Sequence, residues 1–232
     1  MDKVSENPLK NRAFFDTSLM VVTAVFVTLY LVSNIMAVKV IGIADLFYFD
    51  AGTLTFPFAY MLGDVLTEIW GYRTSRKIIF LTAICNIIMV VFTFIAVFLS
   101  SPDYLAETEM AYNHIFSYVP RIVIASLVGF ILGELSNAWL MEKIKIRTKG
   151  KYLWLRTIGS SSVAYIFDSV PFVLIAFAGT LSTHDLVMMM ILQYVLKLGI
   201  EVVFGTPLAY GFIHGIKMYL KSKVHNTARE NG

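Results

Sequence analysis

The sequence predicts an all-α integral membrane protein, with six transmembrane helices and both termini cytoplasmic. Three observations predict it. The mean hydropathy is +0.71, and 57% of residues are hydrophobic against 15% charged, a balance that ordinary soluble domains do not have. Apolar runs long enough to cross a hydrocarbon core of ~30 Å, which takes ~20 helical residues, recur along the chain. Basic residues cluster in every second connection, and cationic loops stay on the cytoplasmic side.

The six spans are Thr17–Val40, Thr53–Trp70, Ile78–Leu99, Arg121–Met141, Leu155–Thr180 and Leu186–Ile213. Backbone groups in lipid must bond within their own segment, so each span is a helix. Together they form one membrane domain over 17–213. Residues 1–16 precede it and a basic tail, 214–232, follows; both are expected in the cytoplasm. The first span is longer than a signal-peptide core and is expected to remain as a helix. Residues Ile41–Gly52 read as a short loop with a half-buried turn. Span two is interrupted by Pro57, Asp64 and Glu68; Pro57 either sets the first turn or breaks the helix.

Orientation follows from Lys3, Lys10 and Arg12 before span one, and Arg73, Arg76 and Lys77 after span two. Lys143, Lys145, Arg147, Lys149 and Lys151 follow span four; Lys217, Lys221, Lys223 and Arg229 follow span six. The intervening loops carry Asp45, Asp50, Asp103, Glu107, Glu109 and Asp185 but no Lys or Arg. The net charge of +3 therefore reflects topology, and no nucleic-acid partner is expected. Cys85 is the only cysteine, so there is no intrachain disulfide and no cysteine metal site.

Ionisable residues inside the spans are the functional signal, because charge at membrane depth costs at least ~2.5–3.5 kcal/mol on insertion scales. In span two, Asp64 and Glu68 lie four apart and share a helix face. That pair suits a proton site, a cation site or two acceptors for N–H donors; alternatively, Glu68 pairs with Arg73 or Arg76. In span four, Gly129 and Gly133 permit close helix contact, while Glu134 and Asn137 can address one ligand together. Span five brings Arg156, Ser160, Ser161 and Asp168, with Pro171 beside the acid. The serines read first as packing glue and second as site residues, and Arg156 as an interfacial anchor or an inward-reaching cation. In span six, Gln193, Lys197 and Glu201 recur every four residues, a spacing that permits a Lys197–Glu201 ion pair. Asn34 in span one is a weaker candidate, and Lys39 is expected to snorkel outward. Trp70, Trp139 and Trp154 suit an interfacial belt. Gly63-Asp64-x-Leu66-Thr67-Glu68-x-Trp70 loosely echoes Gly133-Glu134-Leu135-Ser136-Asn137-x-Trp139, with one residue dropped.

Several chemistries are not signalled. There is no His-Glu-x-x-His, Walker loop, dinucleotide turn or paired-Cys motif, and His114, His184, His214 and His225 are too scattered for a metal cluster. No cofactor or metal is expected. No serine has an evident base, so the chain does not read as an enzyme. Without a nucleotide-binding domain, transport would draw on a gradient, on metabolic trapping or on a separate energising partner.

Gly63-Asp64-Val65-Leu66-Thr67-Glu68-x-x-Gly71, Gly133-Glu134-x-x-Asn137, Arg156-Thr157-x-Gly159-Ser160-Ser161 with Asp168-Ser169, and Glu201 ahead of Thr206-Pro207 occur in that order. This ordered set resembles the queuosine precursor transporter family, vitamin-uptake-like membrane proteins of bacteria and archaea. The resemblance implies a six-helix protein of the bacterial or archaeal cytoplasmic (inner) membrane that imports 7-deazapurines. These are 7-cyano- or 7-aminomethyl-7-deazaguanine, or queuine. It also suggests kinship with the substrate-binding subunits of energy-coupling-factor importers. For such a solute, Glu68 or Glu134 would accept from the guanine N1–H and N2–H₂ edge. Asn137, Arg156 or Lys197 would donate to its carbonyl, and Asp64 or Asp168 would supply a second polar contact.

A rival reading is a non-transporting assembly or scaffold subunit whose buried charges merely pair. It predicts that neutralising both members of Lys197–Glu201 is tolerated. Small-residue faces at Gly129/Gly133 and Gly211/Gly215 would serve a homodimer or internal packing.

Overall fold

A computed structural model describes residues 8–43, 47–117, 119–179, 181–216 and 218. Helix α1 (Pro8–Ala37) leads into an antiparallel hairpin of β1 (Val40–Ile43) and β2 (Phe47–Asp50), in register Val40↔Asp50 to Ile43↔Phe47. A 3₁₀ turn (Ala51–Leu54) then opens α2 (Phe56–Trp70). After these come α3 (Tyr72–Val97), α4 (Ala106–Ser117), α5 (Val119–Arg147), α6 (Leu153–Phe177) and α7 (Thr183–Ile200). A π turn (Glu201–Gly205) joins α7 to a last helix, α8, over 206–216.

The chain is an all-α membrane protein by length and composition. Among the described residues, five helical segments are long and apolar enough to cross a bilayer: Thr17–Ala37, Tyr72–Val97, Asp103–Arg147, Leu153–Phe177 and Thr183–Ile216. The expected second span is not among them. At ~1.5 Å rise per residue, the 15 residues of α2 reach only about 22 Å, short of a ~30 Å core. It lies inside instead: every residue from Ala59 to Glu68 is buried. Thr55 precedes it and Pro57 sits in its first turn, so this proline starts the helix rather than breaking it. By contrast, α3 exposes Phe80, Leu81, Ile84, Ile88 and Phe92, apolar groups suited to lipid.

Other boundaries shift for local reasons. The expected 41–52 loop is a hairpin, closed by Asp50. Its carboxylate accepts from the Thr53 N–H at 3.0 Å and the Thr53 hydroxyl at 2.9 Å, capping the 3₁₀ turn. The expected 100–120 loop contains α4, whose first turn carries Glu107 and Glu109, favourable at a helix N-terminus. Lys143, Lys145 and Arg147 lie on the last turns of α5 rather than in a loop. Lys3, Asp45, Lys217, Lys221, Lys223, His225 and Arg229 lie outside the described residues.

Helices α5 and α6 pack closely because Gly129 faces the Asp168 backbone carbonyl: a Cβ there would lie 2.6 Å from that oxygen. Arg121 ties their far ends, donating to the carbonyls of Ile175 at 2.7 Å and Ala178 at 2.5 Å that a helix C-terminus leaves unpaired. The π turn has a covalent cause. Pro207 has no N–H to return to Val203, and the Thr206 N–H reaches back five residues to the Glu201 carbonyl.

Candidate functional site

Polar side chains collect in the interior in three tiers, ordered by where they sit on their helices. Lys145, Arg147 and Arg156 mark the basic end of the bundle, and Asp50 and Arg121 lie toward the other.

The middle tier joins α2, α5, α6 and the π turn. Asn137 donates to Asp64 Oδ1 at 2.8 Å. Tyr165 donates to Glu201 Oε2 at 3.3 Å, and its ring lies 4.7 Å from that of Tyr60. Glu134 projects over Gly63, where a Cβ would lie 2.6 Å from Oε2. The Tyr60 hydroxyl occupies the matching space over Gly133. Glu201 folds its carboxylate back over Gly205 of its own turn, with a Cβ there at 2.6 Å. The side chains of Tyr60, Asp64, Glu134, Asn137, Tyr165 and Glu201 are wholly buried. Buried polar atoms nevertheless lack a protein partner: Asp64 Oδ2, both oxygens of Glu134, Asn137 Oδ1, Glu201 Oε1 and the Tyr60 hydroxyl. Such groups are rare in proteins because each forfeits its hydration.

In the tier nearer Asp50 the charges are paired, and the Gln193 amide oxygen alone among its buried polar atoms has no partner among the described residues. Lys197 donates to Asp168 Oδ2 at 2.6 Å and to the Ser169 hydroxyl at 3.1 Å, and its ammonium lies 5.2 Å from the centre of the Phe56 ring. Gln193 donates to Asp50 Oδ2 at 2.9 Å. Burial pushes the Asp50 carboxyl above the usual carboxylate range, against the opposing pull of Lys197 and the Thr53 donors.

At the basic end, Glu68 lies 3.2 Å from Arg156 and 3.1 Å from Lys145, which also donates to the Glu68 carbonyl at 2.7 Å. A side cluster links α1, α3 and α5: Asn34 donates to Asn86 at 3.1 Å and contacts Ser126 Oγ, and the Tyr30 hydroxyl donates to the Ser126 carbonyl at 3.3 Å.

The middle tier is thus rich in hydrogen-bond acceptors. Among the described residues, no cation forms a salt bridge with Asp64, Glu134 or Glu201. Among the same residues, no group of three or more His, Cys, Asp or Glu side chains is placed to hold a metal.

A family described as "Putative vitamin uptake transporter" matches residues 50–212. The chain belongs to this family. The matched stretch contains all three tiers. A "Probable queuosine precursor transporter" of Bacillus subtilis is 27% identical over 181 residues, 77% of each chain. The protein of that name from Haemophilus influenzae is 28% identical over 178 residues, 75% of this chain and 72% of its own. The "Queuosine precursor transporter" of Escherichia coli is 25% identical over 215 residues, 90% of this chain and 89% of its own. No solved structure matches. The chain is therefore a transporter-family membrane protein similar to queuosine precursor transporters.

The structure gathers Asp64, Glu134, Asn137 and Glu201 into one tier of this transporter-family chain, and divides other residues that sequence spacing grouped. Asp64 and Glu68 part company: Asp64 turns to Asn137, and Glu68 to Arg156 and Lys145 rather than to Arg73 or Arg76. Arg156 is an inward-reaching cation, 2% exposed, not an interfacial anchor. The Lys197–Glu201 ion pair does not form. Lys197 faces Asp168, and the π turn directs Glu201 toward Tyr165. Ser160 bonds the Thr157 carbonyl of its own helix, whereas the buried Ser161 hydroxyl has no partner. Asn34 lies in the side cluster. Trp139 and Trp154 are about half exposed, whereas Trp70 packs against the core. The echo between spans two and four becomes a crossing: Gly63 receives Glu134, Gly133 receives Tyr60, and Asn137 bonds Asp64. Sequence reasoning missed Tyr60, Tyr165 and Asp50. The tyrosines carried no signal among so many aromatics. Asp50 did, as the sole acid of an apolar Phe-Tyr-Phe-Asp run.

Proposed function

We propose that this chain imports queuosine precursors (7-cyano- or 7-aminomethyl-7-deazaguanine, or queuine) through the middle tier of polar residues. The observation that carries the reading is the set of buried acceptors left without partners: Asp64 Oδ2, both Glu134 oxygens, Asn137 Oδ1 and Glu201 Oε1. A guanine-like edge offers N1–H and N2–H₂ donors, and one carboxylate accepts both in a two-pronged contact. Glu134 is the best placed, since neither oxygen is engaged. Asp64 or Glu201 then takes a further donor, and the amide of Asn137 reaches the ring carbonyl. Glu68–Arg156–Lys145 and Asp168–Lys197 lie on either side of this tier. Their ion pairs suit them to holding the helices, with Ser160, Ser161 and Asn34 as lesser contacts. The names of the bacterial relatives support the substrate class.

The chain sits in the cytoplasmic membrane of a bacterium or archaeon, with both termini cytoplasmic. The basic ends of α5 and α6 support that orientation. It has no catalytic role. Among the described residues, nothing lies within 4 Å of where a Cβ on Gly211 or Gly215 would stand. They line an apolar groove of about 460 Å³ with Pro207, Leu208, Phe212 and Ile216, which suits a homodimer; an energising partner is the other candidate for such a face.

The test is uptake in cells unable to make 7-deazapurines, scored as queuosine in transfer RNA at low external precursor. Restoration by the parent and not by E134Q, at matched membrane levels, is expected. No restoration by a correctly inserted parent would refute the reading.

A further inference from the structure

We propose that the middle-tier carboxylates form a proton-binding site, occupied at neutral pH when no solute is bound, and that a donor-bearing solute displaces the proton. The identity of the solute rests on the import reading; the proton site does not.

The geometry leaves few alternatives. Among the described residues, the buried acids besides Asp50 of the hairpin are Asp64, Glu68, Glu134, Asp168 and Glu201. The interior cations are engaged elsewhere, Lys197 by Asp168 at 2.6 Å and Arg156 by Glu68 at 3.2 Å. Among the described residues no cation forms a salt bridge with Asp64, Glu134 or Glu201; the Arg156 and Glu68 charges face Asp64 from the basic end. The charged groups around Glu134 are Asp64 of α2, Asp168 of α6 and Glu201 of the π turn. Tyr60, Tyr165 and Tyr30 face it from α2, α6 and α1. Helix α3 contributes no ionisable group to its buried face, which is Ser75, Ile78, Ile79, Thr82, Ala83 and Asn86. Like charges buried together resist ionising, and one then keeps its proton.

A second observation points the same way and does not involve the acids' charge. The Tyr60 hydroxyl and Asn137 Oδ1 are wholly buried and have no partner. The first sits over Gly133, next to Glu134 in the chain, and the second belongs to the amide that already holds Asp64. A protonated carboxyl supplies the O–H that an unpaired amide oxygen or phenol oxygen requires; an ionised carboxylate supplies none. When a solute brings N–H donors, these occupy the carboxylate lone pairs and favour the ionised form. The proton then leaves to the aqueous side, one per solute bound.

Infrared difference spectroscopy of the protein reconstituted in lipid tests this directly. The solute-free parent at neutral pH is expected to show the C=O stretch of a protonated carboxyl, shifted in heavy water. At least one of D64N, E134Q and E201Q should abolish it, whereas E107Q, on exposed α4, should leave it. Absence of the band in the parent, or its persistence in all three core variants, would overturn the proposal. Addition of 7-aminomethyl-7-deazaguanine should then remove the band and release about one proton into weakly buffered medium. Measured binding with the band intact would overturn the displacement. A solute that does not bind would contradict the import reading instead, and the solute-free band would still decide the proton site.

Discussion

Replacing Lys197 by Met strands a charge, and the structure sets the size of the penalty. The ammonium is 2% exposed and is held by Asp168 at 2.6 Å, Ser169 at 3.1 Å and the Phe56 ring at 5.2 Å. Its loss leaves the Asp168 carboxylate, 4% exposed, without a counter-charge. Breaking a buried pair from one side costs ~3–5 kcal/mol, whereas replacing both members by apolar groups of similar volume is often neutral or stabilising. K197M and D168L should each be destabilised by that amount, and K197M/D168L should return to within about 1 kcal/mol of the parent. At roughly 2–4 °C per kcal/mol for a chain of this size, each single variant should melt on the order of 10 °C lower. Melting followed by fluorescence-detected size exclusion in detergent reads this out. Single variants that melt with the parent, or a double variant no better than the worse single, would refute the reasoning. Uptake by a folded double variant would further assign the pair a structural role; a folded double variant without uptake would assign it to transport.

At the basic end, R156M should lower the melting temperature less than K197M does, because Lys145 remains 3.1 Å from Glu68; an equal loss in the same melting assay would contradict that sharing. G63A places a methyl 2.6 Å from Glu134 Oε2, so it should cost ~1–3 kcal/mol by overpacking. It should also abolish uptake while insertion persists; wild-type uptake would show that the Glu134 position is not critical. Asp50 has a carboxyl range raised by burial. Its contribution to stability is therefore fully present below the unfolded-state value of ~3.9 and is lost as pH rises through the folded-state value. D50N removes that titration, so its melting temperature relative to the parent should climb with pH; a constant gap across a pH series would count against this.

The membrane class and most helices were legible because they rest on composition and on long apolar runs, which local chemistry alone decides. Asp64, Glu134, Asn137 and Glu201 were legible for a similar reason, since lipid tolerates such groups only in a protein interior. Their partners were not. The Asp64/Glu68 and Lys197/Glu201 groupings used helix spacing, but each side chain turned to a different helix, and the π turn reset the face of Glu201. α2 looked like a span because hydropathy counts residues and does not register the 3₁₀ turn that shortens the helix or the neighbours that bury it. Tyr60 and Tyr165 became visible only once α2 and α6 were placed side by side.

Equilibrium binding of radiolabelled 7-aminomethyl-7-deazaguanine to the purified parent and to E134Q tests the central claim most directly. A hydrogen bond to a charged group contributes ~1.5–3 kcal/mol, so E134Q should bind about 10- to 150-fold more weakly at an unchanged melting temperature. Equal affinity in the two proteins would place the solute elsewhere and contradict the account.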